Sequence, residues 1–379
     1  MGMPKIRILV VDDAVVIRQL LASMLVSDPA LEVVGVAANG RIALAKLPQV
    51  NPDLVILDVD MPEMDGLEAL AAIRKTYPNL PVIMFSALTE QGATITLDAL
   101  ALGANDYVTK PANMSSLRDS LHYIRAQLIP KIKAFCAEIT DSETVVTGAR
   151  PLLTPPWLSL EPASNGERRV DIVAIGVSTG GPDALAALLP CLPAEFPAPI
   201  VIVQHMPPIF TRHLADRLRA KAALQIGEGD AGAILRPGQV WLAPGDFHMA
   251  LERQGTAVRL RMHQEPPENS CRPAVDVLFR SVAEVYGAHA LAVVMTGMGQ
   301  DGLRGCQQIR AAGGQILVQD EASSVVWGMP GTVAKTGLAD RVLPLPQLAD
   351  EIVSRVWTGR QAERRAAPAR MGQNSFRSS

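Results

Sequence analysis

At 379 residues, with 48% hydrophobic and 19% charged side chains, the chain is too long for one ordinary core and suits two folded domains. Its formal net charge of −3 leaves no global electrostatic footprint for nucleic acid, and no apolar run reaches membrane-spanning length. Four scattered cysteines without a C-x-x-C pair argue against a zinc site or a disulfide framework. Two aspartates follow the first apolar run and no cleavage site appears, so a signal peptide is not expected and the chain reads as cytoplasmic.

From Lys5 to Leu128, five Val/Ile/Leu-rich runs (IRILVVDD, LEVVGVAA, DLVILDVD, PVIMFSA and NDYVTKP) alternate with segments of helical period. Runs without polar alternation are covered on both faces, so this pattern predicts a doubly wound parallel sheet over residues 1–128. In such a sheet, ligands sit beyond the carboxyl ends of the strands. Asp12 and Asp13 follow the first strand, Asp58 ends the third, Ser86 ends the fourth and Lys110 ends the fifth just before Pro111. Three carboxylates converging with a lysine suit a hard cation such as Mg²⁺, which prefers oxygen ligands. Taken singly, each has a plainer reading: Asp13 as a helix cap, Ser86 as a loop residue, Lys110 as a solvated strand end.

Residues 129–169 lose periodicity in PLLTPPWLSLEPASNGERR and read as a linker. The α/β pattern resumes over residues 170–358 with DIVAIGV, APIVIVQHM, LAVVMTGM and QILVQD. The segments GDAGAILRPGQVWLAPGDFHMAL and TAVRLRMH read as antiparallel hairpin strands. A basic Arg/Ala/Pro tail over 359–379 reads as disordered.

In the second half, IVAIGVSTGGPDAL places Gly176–Gly180 at a strand-to-helix turn, open to two readings: a phosphate cradle or a nucleophile turn. No Gly-Lys-Ser/Thr follows and the G-x-G-x-x-G spacing is absent, so neither nucleotide motif fits. G-x-S-x-G does fit, and makes Ser178 a candidate nucleophile that needs a base and an orienting acid. His205, directly after an apolar strand, is the leading base, with His248 in APGDFHM as the rival. Asp301 in VVMTGMGQDGLRG is the candidate acid, with a helix cap as its plainer reading, and the turn at Gly297–Gly299 offers backbone N–H groups for an oxyanion. The order Ser, His, Asp differs from that of α/β-hydrolases. Thr179 is a supporting residue, for His205, for substrate or for the turn itself.

The motifs VVDD, LDVDMPEMDGLE, SA and KP together resemble the response-regulator receiver family. GVSTGGPDAL, QHMP, APGDFHM, VDVLFRS, TGMGQDG and SSVVWGMP resemble the catalytic domain of chemotaxis protein-glutamate methylesterases. The first resemblance implies a flavodoxin-like domain in which Asp58 accepts a phosphoryl group, Asp12, Asp13 and Asp58 hold Mg²⁺, and Ser86 and Lys110 form the switch. The second implies a Rossmann-like esterase domain needing no cofactor, in which Ser178 attacks a receptor glutamate γ-methyl ester, His205 takes its proton, Asp301 orients His205 and the Met298 N–H binds the oxyanion. Deamidation of receptor glutamines is implied too. The implied partners are methylated chemoreceptors and a chemotaxis histidine kinase, without nucleic acid or membrane insertion. Cys271 and Ala274 stand where a His and a Ser are expected in many relatives, leaving Arg272 as the polar candidate of that segment. A docking module without turnover and a transcriptional regulator are the competing readings; the absence of a helix-turn-helix pattern disfavours the second.

Overall fold

The structure, a computed structural model, describes residues 4–111, 117–137 and 169–366. Five strands, β1 (Ile6–Val11), β2 (Leu31–Ala37), β3 (Leu54–Asp58), β4 (Val82–Ser86) and β5 (Asp106–Thr109), form one sheet in the order β2-β1-β3-β4-β5. Every pairing in it is parallel. Strands β3, β4 and β5 are buried along their whole length, as unbroken apolar runs require when both faces are covered. Helices α1 (Val15–Val26), α2 (Gly40–Val50), α3 (Gly66–Thr76), α4 (Glu90–Ala101) and α5 (Leu117–Phe135) cover them. Local signals start three of these: Asn39 caps α2, Thr89 caps α4, and Asp65 with Glu68 forms a capping box on α3.

A second sheet has seven strands: β6 (Ile172–Val177), β7 (Ile200–Gln204), β8 (Gln225–Glu228), β9 (Gln239–Leu242), β12 (Ala290–Val294), β13 (Gln315–Gln319) and β14 (Arg341–Leu343). Their order is β14-β13-β12-β6-β7-β9-β8, again all parallel. Around it lie α6 (Gly181–Leu188), α7 (Phe210–Lys221), α8 (Val275–Tyr286), α9 (Leu303–Ala311), α10 (Met329–Lys335) and α11 (Leu345–Ala366). Strands β10 (His248–Gln254) and β11 (Ala257–His263) form a separate antiparallel hairpin.

The expected fold class, two mostly parallel α/β sheets with one hairpin, is what the chain adopts. Three details differ from the sequence reading. The segment Gln239–Leu242 reads from sequence as a hairpin strand, yet β9 joins the parallel sheet, where Val240 and Leu242 are fully buried between β7 and β8. The linker was expected from residue 129, but α5 continues to Phe135 because Ile129, Ile132 and Cys136 are core residues packed with Ile6, Leu25 and Phe85. Residues 138–168 of that linker lie outside the described residues. Helix α11 likewise runs through Ala366, past the expected start of the tail at 359. No helix among the described residues is long and apolar enough to cross a membrane.

The two sheets do not stand apart. One continuous set of buried apolar side chains runs from Leu57, Ala93, Leu97 and Tyr107 to Phe210, Ala215 and Leu218. Helix α4 lies against α6 and α7, and the Tyr107 and Phe210 rings stack with centroids 4.9 Å apart.

Candidate active site and phosphoacceptor cluster

Each candidate site sits at a point where the strand order of its sheet reverses. In the first sheet β2 lies on one side of β1 and β3 on the other. Asp12 and Asp13 follow β1 and Asp58 ends β3, and one oxygen from each lies within 4.8 Å of the other two. Lys110 reaches across, with its Nζ 2.7 Å from Asp58 Oδ1 and 3.0 Å from Asp12 Oδ2. Burial pushes the Asp58 carboxyl up to about 6, against the pull of Lys110 and with the help of Asp12. Asp58 is 2% exposed, and its Oδ2 has no hydrogen-bond partner among the described residues. A buried carboxylate oxygen left without a donor, beside two further carboxylates, is the donor set a hard divalent cation needs. Ser86 is fully buried. Its hydroxyl donates to Gly92 O of α4 at 3.2 Å.

In the second sheet β7 lies on one side of β6 and β12 on the other, and three turns meet. Ser178 follows β6, His205 follows β7, and the turn Thr296–Asp301 follows β12. Gly180, at φ +77°, lets the chain turn into α6 where a side chain would run into Val325 at 2.6 Å. A Cβ on Gly297 would lie 2.8 Å from Ser178 Cβ, so the glycine allows the third turn to close on the nucleophile turn. The Met298 N–H of that turn has no backbone acceptor among the described residues.

The structure brings His205 and Asp301 together: Nε2 and Oδ2 are 2.8 Å apart. Asp301 is held by the N–H groups of Val275 (2.6 Å), Asp276 (3.0 Å) and Gly302 (2.9 Å) and by Asn269 Nδ2 (2.8 Å). Burial raises its pKa, but His205 and these donors outweigh burial and hold the carboxyl below its ordinary value. For His205 burial works against the imidazolium, while Cys271 and Asp301 favour it, and the result is a pKa raised to about 10. The other ring nitrogen, Nδ1, faces Cys271 Sγ at 3.6 Å. Among the described hydrogen bonds none joins the Ser178 hydroxyl to His205. Both line one cavity of about 380 Å³.

His248, the rival base, points elsewhere. It is fully buried, accepts the Ala274 N–H at Nδ1 (3.2 Å) and meets Pro266 O at Nε2 (3.2 Å). Arg272, the polar candidate of the segment with Cys271 and Ala274, is committed to Asp246 (2.9 Å from Nε) and to the carbonyls of Gln264 and Glu265.

Thr179 departs most from expectation. Its hydroxyl bonds neither His205 nor open space but donates to Asp106 Oδ2 of β5, at 2.8 Å. Asp106 is 4% exposed and is paired with Lys131 Nζ at 2.6 Å. The first unit is thereby bonded to the residue beside the candidate nucleophile, and Asp106, Tyr107, Tyr123, Gln127 and Lys131 form one wall of the cavity that holds Ser178 and His205.

Four supporting residues were not singled out from sequence. Gln204 Nε2 bonds Ser178 O at 2.9 Å and His205 O at 3.3 Å, tying two strand ends together. Thr296 Oγ1 bonds Thr179 O at 2.9 Å. Asn269 and Asp276 frame Asp301, with Asn269 Nδ2 also 3.0 Å from Asp276 Oδ2. Gln204 and Thr296 had a signal, each being a polar residue at the end of an apolar strand. Asp276 had none beyond lying in VDVLFRS, and Asn269 had none.

Fold and site define the class: an acidic, receiver-type cluster on one parallel sheet, joined to a Ser, His and Asp gathered at the switch point of another. The chain matches the response regulator receiver domain over residues 8–122 and CheB methylesterase over residues 173–352. A protein-glutamate methylesterase/protein-glutamine glutaminase of Trichodesmium erythraeum is 57% identical over 357 residues, covering 93% of this chain and 100% of that one. One from Nocardioides sp. is 51% identical over 356 residues, covering 93% and 96%. The crystal structure of the Thermotoga maritima CheB methylesterase catalytic domain is 43% identical, with a TM-score of 0.48, covering 48% of this chain and 97% of that one. The chain belongs to the CheB methylesterase family and carries the response regulator receiver domain at its N-terminal end.

Proposed function

We propose that this chain hydrolyses glutamate γ-methyl esters on methylated chemoreceptors and deamidates receptor glutamines, under the control of phosphorylation at Asp58 by a chemotaxis histidine kinase. Family membership supports the reaction class. The division into a receiver, a linker and a catalytic domain, and the role of each site residue, belong to the same proposal.

In the reaction, Ser178 Oγ attacks the ester carbonyl while His205 Nδ1 takes its proton, and Asp301 accepts the Nε2–H and keeps that tautomer. The Met298 N–H stabilises the oxyanion. Methanol, or ammonia from a glutamine, leaves with the proton from His205, and water repeats the steps to free the glutamate. His205 has to be neutral to act, so its raised pKa in this arrangement describes a resting site. Mg²⁺ would be held by Asp12, Asp13 and Asp58, where it would neutralise the phosphoryl oxygens, and Lys110 would pair with them.

The observation that carries the regulatory reading is the Thr179–Asp106 bond. The receiver edge that would respond to a phosphoryl group, β5 with Lys110 beside it, is bonded to the residue next to Ser178. A hydrogen bond to a charged acceptor contributes about 1.5–3 kcal/mol, a strength that phosphorylation can overcome.

The test is methanol release from methylated receptor membranes by wild type, Ser178→Ala and Asp58→Ala, with and without a small phosphodonor and Mg²⁺. We expect stimulation of wild type, silence from Ser178→Ala, and an Asp58→Ala chain indifferent to the donor. Stimulation of Asp58→Ala by the donor would place the phosphorylation elsewhere.

A further inference from the structure

Helix α7 begins five residues after His205, and its outer face is charged: Arg212, His213 and Arg217, with Arg219 and Lys221 beyond. It is a preformed part of the catalytic unit. Phe210, Thr211, Leu214, Ala215 and Leu218 are buried, and Thr211 Oγ1 is fixed between Glu228 (2.5 Å) and the Gly245 N–H (3.0 Å). The receiver lays an acidic helix on this face. Glu90 of α4 takes Arg212 Nη2 and His213 Nε2, each at 2.5 Å, and Asp98 takes Arg217 Nη1 at 2.6 Å. Glu90 and Asp98 are eight residues apart, about 12 Å along a helix. Between the helix and the cavity, Tyr107 stacks on Phe210, and Asp106 presents a carboxylate at Thr179.

An aromatic centre with a charged rim is the anatomy of a protein-docking surface. What the receiver presents to it is a carboxylate in the cavity and an acidic helix alongside. The product of glutamate ester hydrolysis also presents a carboxylate in that cavity. We infer that α7, through Phe210, Arg212, His213 and Arg217, is the docking face for an acidic helical segment of the protein substrate, and that the receiver's α4 occupies this face as its mimic. This rests on the esterase reading above. It adds that the same cations serve two occupants in turn, so a change to α7 and a change to α4 have different consequences.

The experiment compares full-length wild type, Glu90→Gln/Asp98→Asn and Arg212→Gln/Arg217→Gln, all with saturating phosphodonor and Mg²⁺. Two substrates are used: methylated receptor membranes, and a short uncharged peptide containing one glutamate γ-methyl ester. Exposed charge pairs are individually weak, so the α7 variant should raise KM for receptors roughly threefold to tenfold. Its kcat, and its rate on the short peptide, should not change. The α4 variant should show no rise in KM. If the α7 variant instead matches the α4 variant, with unaltered KM, the face serves the receiver alone and the inference is overturned. If wild type releases methanol from neither substrate, the esterase reading fails. Docking is then read by co-sedimentation with receptor membranes, where undiminished binding by the α7 variant overturns it.

Discussion

The acidic cluster of the receiver and the Ser–His–Asp site occupy equivalent places in two parallel sheets, yet they are built differently. At the receiver's switch point the working side chains come from strand ends next to one another in the sheet, and Lys110 spans Asp12 and Asp58 without help from a distant loop. Burial there works against the charged form of Asp58. At the catalytic switch point, Asp301 is already satisfied by four donors, two from the start of α8 and one from Asn269 in the loop before it. Among the described hydrogen bonds none joins the Ser178 hydroxyl to His205, although both line one cavity. The Asp106–Thr179 bond joins β5 of the first sheet to the turn that carries Ser178 in the second.

The largest effect separates the two chemistries. Ser178→Ala should reduce methanol release at least about 10³-fold while phosphorylation of Asp58 proceeds normally, measured by incorporation of phosphate from a labelled donor. Loss of both would mean that the centres do not operate independently. The next tests the connection. Asp106→Asn removes the charged acceptor of the Thr179 hydroxyl and should raise the rate without phosphodonor about tenfold, the equivalent of about 1.4 kcal/mol in the closed state. A rate still low without donor would show that apolar contacts such as Tyr107 on Phe210 hold the receiver in place by themselves.

The same contrast explains what could be read in advance. Strand ends are legible because unbroken Val/Ile/Leu runs mark them, and Asp12, Asp13, Asp58, Ser86, Lys110, Ser178 and His205 all sit at such ends. Asn269 and Asp276 are not at strand ends. They reach Asp301 because the segment before α8 folds back over the third turn, a tertiary path with no periodic signature. His248 was a reasonable rival on sequence, being near a Pro-Gly turn, and its commitment to Ala274 N and Pro266 O is a matter of loop packing. The side-chain partner of Thr179 is illegible in sequence for a related reason. Its partner is 73 residues earlier, across an interface between units that each have an apparently complete pattern of their own.

Asp58 gives a stability test specific to the receiver. Its pKa in the folded chain, about 6, lies above the ordinary carboxylate value of 3.8, so the folded state binds this proton more tightly than the unfolded one. Ionised Asp58 therefore costs stability at neutral pH, a cost that disappears as pH falls through 6 toward 4. Asp58→Asn should stabilise the metal-free chain by about 1–2 kcal/mol at pH 7.5, read as a higher midpoint in urea, with little difference from wild type near pH 4.5. Added Mg²⁺ should narrow the gap at pH 7.5 by stabilising wild type.

The smallest predicted effect concerns Cys271, the side chain on the far side of the His205 ring from Asp301. Cys271 faces His205 Nδ1, the nitrogen that accepts the serine proton in the proposed reaction, and it favours the protonated imidazole. Removing the thiol in Cys271→Ala takes away one of the influences that raise the His205 pKa and leaves Asp301 as the main partner. The base then becomes neutral at lower pH. The acid limb of the pH–kcat/KM profile should move to lower pH by about one unit, with the plateau rate little altered. Cys271→Ser keeps a hydrogen-bonding group of similar size but a far weaker acid, so its limb should lie between those of wild type and the alanine variant. If all three limbs coincide, Asp301 and burial alone set the basicity of His205, and Cys271 is a packing residue of the cavity wall.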